Sequence, residues 1–256
     1  MRWGVVIAAG GTAPTDLAME IGTPHKALAR FRGRTSLAWT LDAVRDYRTA
    51  VVGPEVIQAE VTHGRWVMER TNAIENCEAG IDVLDDVDAI LMLPADSPLI
   101  TAGDLRFFIE AVDRCELAGA WGAVGLASYD AFRNEFPDAP ATPTRLAEGR
   151  VLAGALYAAS HEGFALGRDL AAGVRHSRKE VAKIALKFGL LNLIRLKAGW
   201  LRLHNIERAM LRATGVHARA IVGCHPNTVM DFDTVDEYRA VRACFSAAPA
   251  GDRSDH

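Results

Sequence analysis

Three stretches of this 256-residue chain carry side chains that could act together on a charged substrate. The first is Val6-Ile7-Ala8-Ala9-Gly10-Gly11-Thr12, followed by Pro24-His25-Lys26-Ala27-Leu28. Small residues let a phosphate approach the backbone N–H groups of Ala8, Ala9, Gly10, Gly11 and Thr12, and a loop lysine can neutralise it. This is not a Walker A loop, because Ala27 follows Lys26 and the glycine spacing differs, nor is it a Gly-x-Gly-x-x-Gly fingerprint. A tight strand-to-loop turn with a surface lysine is the alternative. The second stretch, Leu93-Pro94-Ala95-Asp96-Ser97-Pro98, puts a carboxylate just past a buried strand, where open α/β sheets bind ligands. A lone aspartate between prolines is equally an ordinary turn residue. The third is Met230-Asp231-Phe232-Asp233-Thr234, leading into a helix. Only one of the two carboxylates is expected to face a given site. Alternatively, Asp233 or Thr234 only caps the helix. Together, oxygen ligands from two distant loops suit Mg²⁺, which takes one or two carboxylates plus substrate phosphates. A glycine loop and a lysine around the same metal describe a nucleoside triphosphate site.

The elements that must position these residues can be read from periodicity. Val5 to Ala9 is a continuous apolar run, expected as a buried parallel strand. Residues 12–26 hold two prolines and no periodicity, which predicts a loop. Ser36 to Tyr47 has Leu37, Leu41 and Val44 at helical spacing, with Ser36 or Thr35 as N-cap. Ala50 to Val52 reads as a strand, Asn72 to Leu84 as a helix, Asp88 to Leu93 as a second buried strand, and Gly103 to Glu116 as a helix. Trp121 to Leu126 and Val151 to Ala159 are strand-like, with a proline-rich loop at 136–149 between them, and Glu162 to Ala172 is helical. Two or three short helices broken by Gly189 and Gly199 follow. Then come a strand at Ala218 to Val222, a second around Val229 to Phe232, and a helix from Val235 to Phe245. This alternation predicts an α/β three-layer sandwich with a mostly parallel central sheet. The expected organisation is one domain over 1–246, a basic helical insertion or cap at 173–216, and a disordered tail at 247–256.

Composition removes several classes. Half of the residues are apolar and 24% are charged, with 22 Gly and 10 Pro, as in a turn-rich globular domain. A net charge of −3 argues against a nucleic-acid partner. No apolar run approaches the roughly 20 residues that span a bilayer. Met1-Arg2-Trp3-Gly4 leads into only five apolar residues, so a signal peptide is not expected and a cytoplasmic location is. The cysteines Cys77, Cys115, Cys224 and Cys244 lack metal-ligand spacing and read as reduced thiols. Cys224-His225 is a formal nucleophile and base pair, but adjacent side chains point in different directions.

The order of motifs, Ala8-Ala9-Gly10-Gly11-Thr12, then His25-Lys26-Ala27-Leu28, then Leu93 to Leu99, then Asp231 to Tyr238, resembles the MobA-like (molybdenum-cofactor guanylyltransferase-type) nucleotidyltransferases. The resemblance covers most of residues 4–132 and about 220–245. It implies a GT-A-like, Rossmann-like fold, an NTP donor, a small phosphorylated acceptor and Mg²⁺. By position it assigns the triphosphate to Ala8, Ala9, Gly10, Gly11, Thr12 and Lys26, the metal to Asp96 and Asp233, and catalysis to Lys26 and Asp96. Asn72 and Asn76 fall on the segment that lies near the base and ribose in relatives. The implied reaction is in-line attack by an acceptor oxygen on the α-phosphorus with pyrophosphate leaving; an anionic attacking phosphate needs no general base. Relatives carry an arginine soon after the glycine loop, where this chain has Thr12-Ala13-Pro14-Thr15, and Arg145 or Arg150 is the candidate replacement. A GT-A glycosyltransferase is a second reading, although Ala95-Asp96-Ser97 lacks a compact DxD. A degenerate NTP-binding regulatory module is a third.

The charge is unevenly spread. Between Arg175 and Arg219 there are 11 Lys/Arg and two acids, a net of +9, whereas the remaining 211 residues sum to −12. The plain reading is a cap whose apolar side packs on the domain or, in a homodimer, on a second subunit, with its lysines in water. A second reading sets Arg178 and Lys179 against the acceptor phosphate, and a third is an amphipathic surface meeting anionic lipid.

Overall fold

The computed structural model describes residues 1–176 and 190–247. Its centre is strand β1 (Trp3–Ala8), where Val5, Val6 and Ile7 are fully buried. Val5 and Ile7 join one apolar cluster and Val6 joins another, so both faces of the strand are covered. Burial of this kind stabilises by about 1.5–3 kcal/mol per side chain, which is why the run shows no polar alternation. β1 lies between β4 (Arg48–Gly53) and β6 (Ala89–Pro94), parallel to both.

The sheet runs β10-β7-β9-β6-β1-β4-β5, where β5 is Arg65–Met68, β7 Trp121–Ser128, β9 Gly149–Ala159 and β10 His217–Val222. β9 is antiparallel to β6 and β7, and the short β8 (Thr144–Leu146) pairs with it. A two-residue hairpin, β2 (Arg30–Phe31) with β3 (Arg34–Thr35), stands apart. Helices α2 (Ser36–Ala43) and α4 (Ala102–Asp113) cover the Val5/Ile7 face, and α3 (Ala73–Ile81) covers the Val6 face. Thr35 caps α2, and Thr101 with Asp104 forms a reciprocal capping box on α4. This is the expected mostly parallel sheet with helices on both sides.

Three expectations need correction. The segment 12–26 is not all loop, because Thr15–Ile21 forms helix α1. Its two prolines flank the helix instead of breaking it. The Pro14 carbonyl accepts the Ala18 N–H at 2.8 Å, and Gly22, at φ +73°, donates to the Ala18 carbonyl. The strand expected around Val229 to Phe232 does not form. Pro226–Val229 is a 3₁₀ turn, started by a proline without an N–H and closed by Thr228 Oγ1 on the His225 carbonyl at 2.7 Å. The proline-rich loop at 136–149 contains β8, and α5 (Tyr129–Glu135) precedes it.

The chain continues through α6 (His161–His176), α7 (Leu190–Ala198), α8 (Leu203–Thr214) and, after β10, α9 (Val235–Ala247). Leu201, between α7 and α8, is fully buried, and its carbonyl accepts the Ala147 N–H at 3.0 Å, which docks this part of the basic segment on the β8–β9 turn. Its neighbour Trp200 is 73% exposed. No helix among the described residues is long and apolar enough to cross a membrane. Residues 248–256, most of the segment expected as a tail, lie outside the described residues.

Candidate nucleotide site

The carboxyl ends of β1 and β6 open side by side, with the Ala95 N–H bonded to the Ala8 carbonyl at 2.9 Å. From β1 the chain enters the small-residue loop. Ala9 is anchored by its N–H to the Val52 carbonyl at 2.8 Å, and Gly11 has φ +84°, a conformation that favours glycine. Glu69, at the end of β5, donates its backbone N–H to Gly53 and turns its side chain onto this loop. One of its carboxylate oxygens accepts the Gly11 N–H at 2.9 Å and would lie 2.2 Å from a Cβ at residue 10. Gly10 therefore permits the close approach of an acidic oxygen, and the loop already holds an anion on its backbone.

Asn72 and Asn76 belong to α3. The Asn72 side-chain oxygen accepts the N–H groups of Ile74 and Glu75, which makes it the N-cap of the helix. Asn76 is buried, and its oxygen accepts the Arg70 N–H at 2.5 Å. Its amide nitrogen faces residue 10, 3.0 Å from where a Cβ would stand, so Asn76 borders the loop.

Lys26 begins a 3₁₀ turn and sends its ammonium between two carboxylates, hydrogen-bonding to Asp96 Oδ2 and, at 2.5 Å, to Asp233 Oδ1. Burial alone would lower the lysine, but the two adjacent carboxylates outweigh it and hold the ammonium above the ordinary lysine range. Asp96 is held by its backbone. The Ala95 carbonyl accepts Ser36 Oγ at 2.6 Å and, more weakly, Thr40 Oγ1 at 3.5 Å, and both hydroxyls are fully buried on α2. Burial pushes the Asp96 carboxyl up, against the pull of Lys26, and its Oδ1 is buried without a hydrogen-bond partner. Asp233 is the exposed member, its side chain 72% accessible. Thr234 and Glu237 close a capping box on α9, the Glu237 carboxylate accepting the N–H groups of Asp233 and Thr234, both at 2.9 Å. Thr234 therefore caps the helix, and the Asp233 side chain reaches Lys26.

Between them, Phe232 is fully buried in an aromatic cluster with Phe31, Tyr238 and Phe245. Asp231 also lies beside the site, within the field of Asp96 and Asp233, so the two carboxylates are not divided as expected, one toward the site and one away. Residues two apart on an extended segment share a face. Burial, then those two charges, push its carboxyl up to about 6. A raised carboxyl favours the folded protein most where it is protonated, so this contribution falls as pH rises from about 4 to about 6. Asp231→Asn is expected to flatten that dependence and to be more stable than the parent at pH 7.5 by on the order of 1 kcal/mol. Urea titrations of the metal-free protein at pH 4.5 and 7.5 measure this; equal differences at both pH values would remove Asp231 as the cause.

A divalent ion fits these residues. Asp96 offers a buried oxygen without a partner, Asp233 offers an exposed carboxylate, and no cluster of three or more His, Cys, Asp or Glu with metal-holding geometry occurs among the described residues. A cation taking two carboxylates and completing its shell with phosphate oxygens suits such a sparse set.

Other candidates are placed elsewhere. Arg150 pairs with Asp130 at 2.6 Å and lies 4.4 Å over the Tyr129 ring, while Arg145 stands on β8. Burial pushes the Cys224 thiol up to about 11, far from the thiolate a nucleophile needs, and His225 turns toward Glu135 at 3.5 Å. Arg178 and Lys179 lie outside the described residues. Sequence reasoning missed Glu69, Ser36 and Thr40 as parts of this site. The only signal at hand was the pair of hydroxyls four residues apart on one face of α2.

No curated protein matches the chain. Among solved structures, a hypothetical transferase from Thermus thermophilus is 26% identical with a TM-score of 0.75, over 93% of this chain and 100% of that one. A CMP:2-keto-3-deoxy-manno-octonic acid synthetase solved with CTP is 17% identical with a TM-score of 0.58, over 96% of this chain and 99% of that one. A Mycobacterium tuberculosis H37Rv protein solved in complex with manganese shares 18% identity and a TM-score of 0.51, over 97% of this chain and 100% of that one. These last two share the fold. The family model of the MobA-like NTP transferase domain matches residues 4–179, the span that carries the glycine loop, Lys26 and Asp96. With more than half of its length matched, the chain belongs to the MobA-like NTP transferase family and is a nucleotidyltransferase.

Proposed function

We propose that this nucleotidyltransferase moves a nucleoside monophosphate from an NTP to a small phosphorylated acceptor, with Mg²⁺ and with release of pyrophosphate. The observation that carries the reading is the convergence of Lys26, Asp96 and Asp233 at the mouth of the small-residue loop, with one Asp96 oxygen buried and without a partner. The loop from Ala8 to Thr12 orients the triphosphate, with Ala8 and Ala9 anchoring it to the sheet through the Ala8 carbonyl and the Ala9 N–H, and the Gly11 N–H exchanges the Glu69 carboxylate for a phosphate oxygen. Lys26 follows the negative charge that develops on the leaving pyrophosphate. Asp96 and Asp233 would hold Mg²⁺, which supplies charge neutralisation at the phosphates. Asn76 borders the nucleoside side of the loop, and Asn72 shapes it by capping α3. An acceptor that attacks through its own phosphate arrives as an anion, so proton abstraction is not required. On charge, Arg178 and Lys179 are assigned to that acceptor.

The test is thermal melting with each NTP, with and without Mg²⁺. One NTP is expected to raise the melting temperature in a Mg²⁺-dependent way. Lys26→Met is expected to weaken that NTP by about ten- to a hundred-fold, the worth of a charge-assisted hydrogen bond to phosphate. If no NTP shifts the melt at millimolar concentration, the reading fails.

A further inference from the structure

The side chains of Lys26 and Asp96 touch, and a separate run of hydrogen bonds joins the turns that carry them. The Lys26 carbonyl accepts the Ala29 N–H at 3.0 Å, and the Ala29 carbonyl accepts the Ser36 N–H at 2.7 Å. Ser36 Oγ then donates to the Ala95 carbonyl at 2.6 Å, one residue before Asp96. Ser36 therefore bonds through its backbone toward Lys26 and through its side chain toward Asp96. Ala29, Ser36 and Ala95 are all buried, so water does not compete for these bonds.

The same hydroxyl completes the anchoring of Ala95. β6 pairs with β1 as far as Pro94 and with β9 as far as Met92, so the Ala95 carbonyl lies past both ladders. A buried carbonyl there needs a donor. The Ala95 N–H goes to the Ala8 carbonyl at 2.9 Å, so the residue is held by β1 on one side and by α2 on the other. Thr40 is secondary: its hydroxyl lies 3.1 Å from the Ser36 carbonyl and 3.5 Å from that of Ala95. Satisfying the carbonyl accounts for a hydroxyl on α2. It does not account for the choice of the residue whose own N–H is tied to the Lys26 turn.

We infer that Ser36 is a positioning residue: through the Ala95 carbonyl it keeps the Asp96 carboxylate in place when Lys26 turns to a phosphate and a divalent cation arrives. The inference rests on the reading of Asp96 as a metal ligand. A carboxylate paired with lysine can follow the flexible ammonium, whereas Mg²⁺ demands near-ideal placement of its oxygens. The Ser36 bond fixes the backbone behind that carboxylate independently of Lys26.

Mn²⁺ binding to the intact protein, followed by the electron paramagnetic resonance of the free ion, tests this without nucleotide. The parent is expected to bind Mn²⁺ saturably, and Asp96→Asn to lose it. Ser36→Ala is expected to weaken Mn²⁺ about ten-fold, the usual cost of losing a group that orients a metal ligand. Ser36→Thr keeps the donor and should restore the parent affinity. Ser36→Cys, a weak donor, should fall between them, and it carries the comparison if alanine prevents folding. Thr35→Ala removes the N-cap of the same helix, which accepts the Ala38 N–H at 3.2 Å. It should lower the melting temperature and leave Mn²⁺ affinity at the parent value. If Ser36→Ala and Thr35→Ala behave alike, affinity following stability in both, the role is structural and the inference is overturned. Parent affinity in Ser36→Ala overturns it too, as does a parent that binds Mn²⁺ no better than Asp96→Asn. The NTP melt of the parent is a separate measurement: its failure removes the nucleotidyl-transfer reading, while the Mn²⁺ order of the variants still decides the role of Ser36.

Discussion

Asp96→Asn is expected to reduce pyrophosphate release by about a thousand-fold while the protein melts at the same temperature or higher. The substitution keeps the shape of a nearly buried side chain, so packing beneath the Ser36 and Thr40 hydroxyls is preserved. It removes the negative charge whose Oδ1 has no partner inside the protein, and with it half of the carboxylate pair that fits a divalent ion. Burial already disfavours the charged form of Asp96, so neutralising it relieves a desolvation penalty even as Lys26 loses one of its two ion-pair partners. Lys26 retains Asp233. Activity and stability should therefore move in opposite directions, as expected where a buried charge is kept for chemistry. A variant that keeps its rate within about ten-fold of the parent would contradict the placement of the metal, since a lost transition-state contact is worth more than that.

Phe232→Ala is expected to lower unfolding free energy by about 3–5 kcal/mol, a large part of the 5–15 kcal/mol typical of a domain. Phe232 is fully buried, 5.6 Å from both the Phe31 and Tyr238 ring centroids. Truncation removes its transfer free energy and leaves a cavity among rings that cannot all close in. Phe232 is the residue between Asp231 and Asp233 in the chain, so its loss also loosens both carboxylates. Phe232→Leu keeps most of the volume and should lose no more than about 1.5 kcal/mol. Urea midpoints measure the stability difference, and the Mg²⁺-dependent NTP shift should shrink in the alanine variant even at temperatures where it is fully folded. An alanine variant with a near-parent midpoint would show that the aromatic cluster repacks without this ring.

Features that depend on local chemistry were legible in the sequence. β1 and β6 announce themselves because both their faces are buried, and the capping residues Thr35 and Thr101 work within three positions of themselves. Lys26, Asp96 and Asp233 could be singled out by type and place, but that they touch depends on contacts across 70 and 207 residues. α1 was hidden because proline at both ends looks like a loop when its position relative to the helix is unknown. β5 is a partly exposed edge strand of four residues, too short and too mixed for periodicity to mark it. Glu69 follows directly from it and was missed for that reason. The tethers from Ser36 and Thr40 to the Ala95 carbonyl are likewise invisible to spacing, since the acceptor is a backbone atom 59 and 55 residues away.

The link between Lys26 and Asp233 also bears on how the molecule is completed during synthesis. A nascent chain that has passed β6 already contains the small-residue loop, Lys26 and Asp96, yet Asp233 and its neighbours Phe232, Tyr238 and Phe245 arrive only with α9 and the turn before it. Closing a loop of 207 residues has an entropy cost that local helices do not meet, and it is met here when Phe232, Tyr238 and Phe245 pack onto Phe31. Until then the first half of the chain presents a lysine and a buried aspartate without their third partner. Chains that stop short of residue 233 lack the Lys26–Asp233 pairing, so this cluster forms only after both parts of the chain have been made.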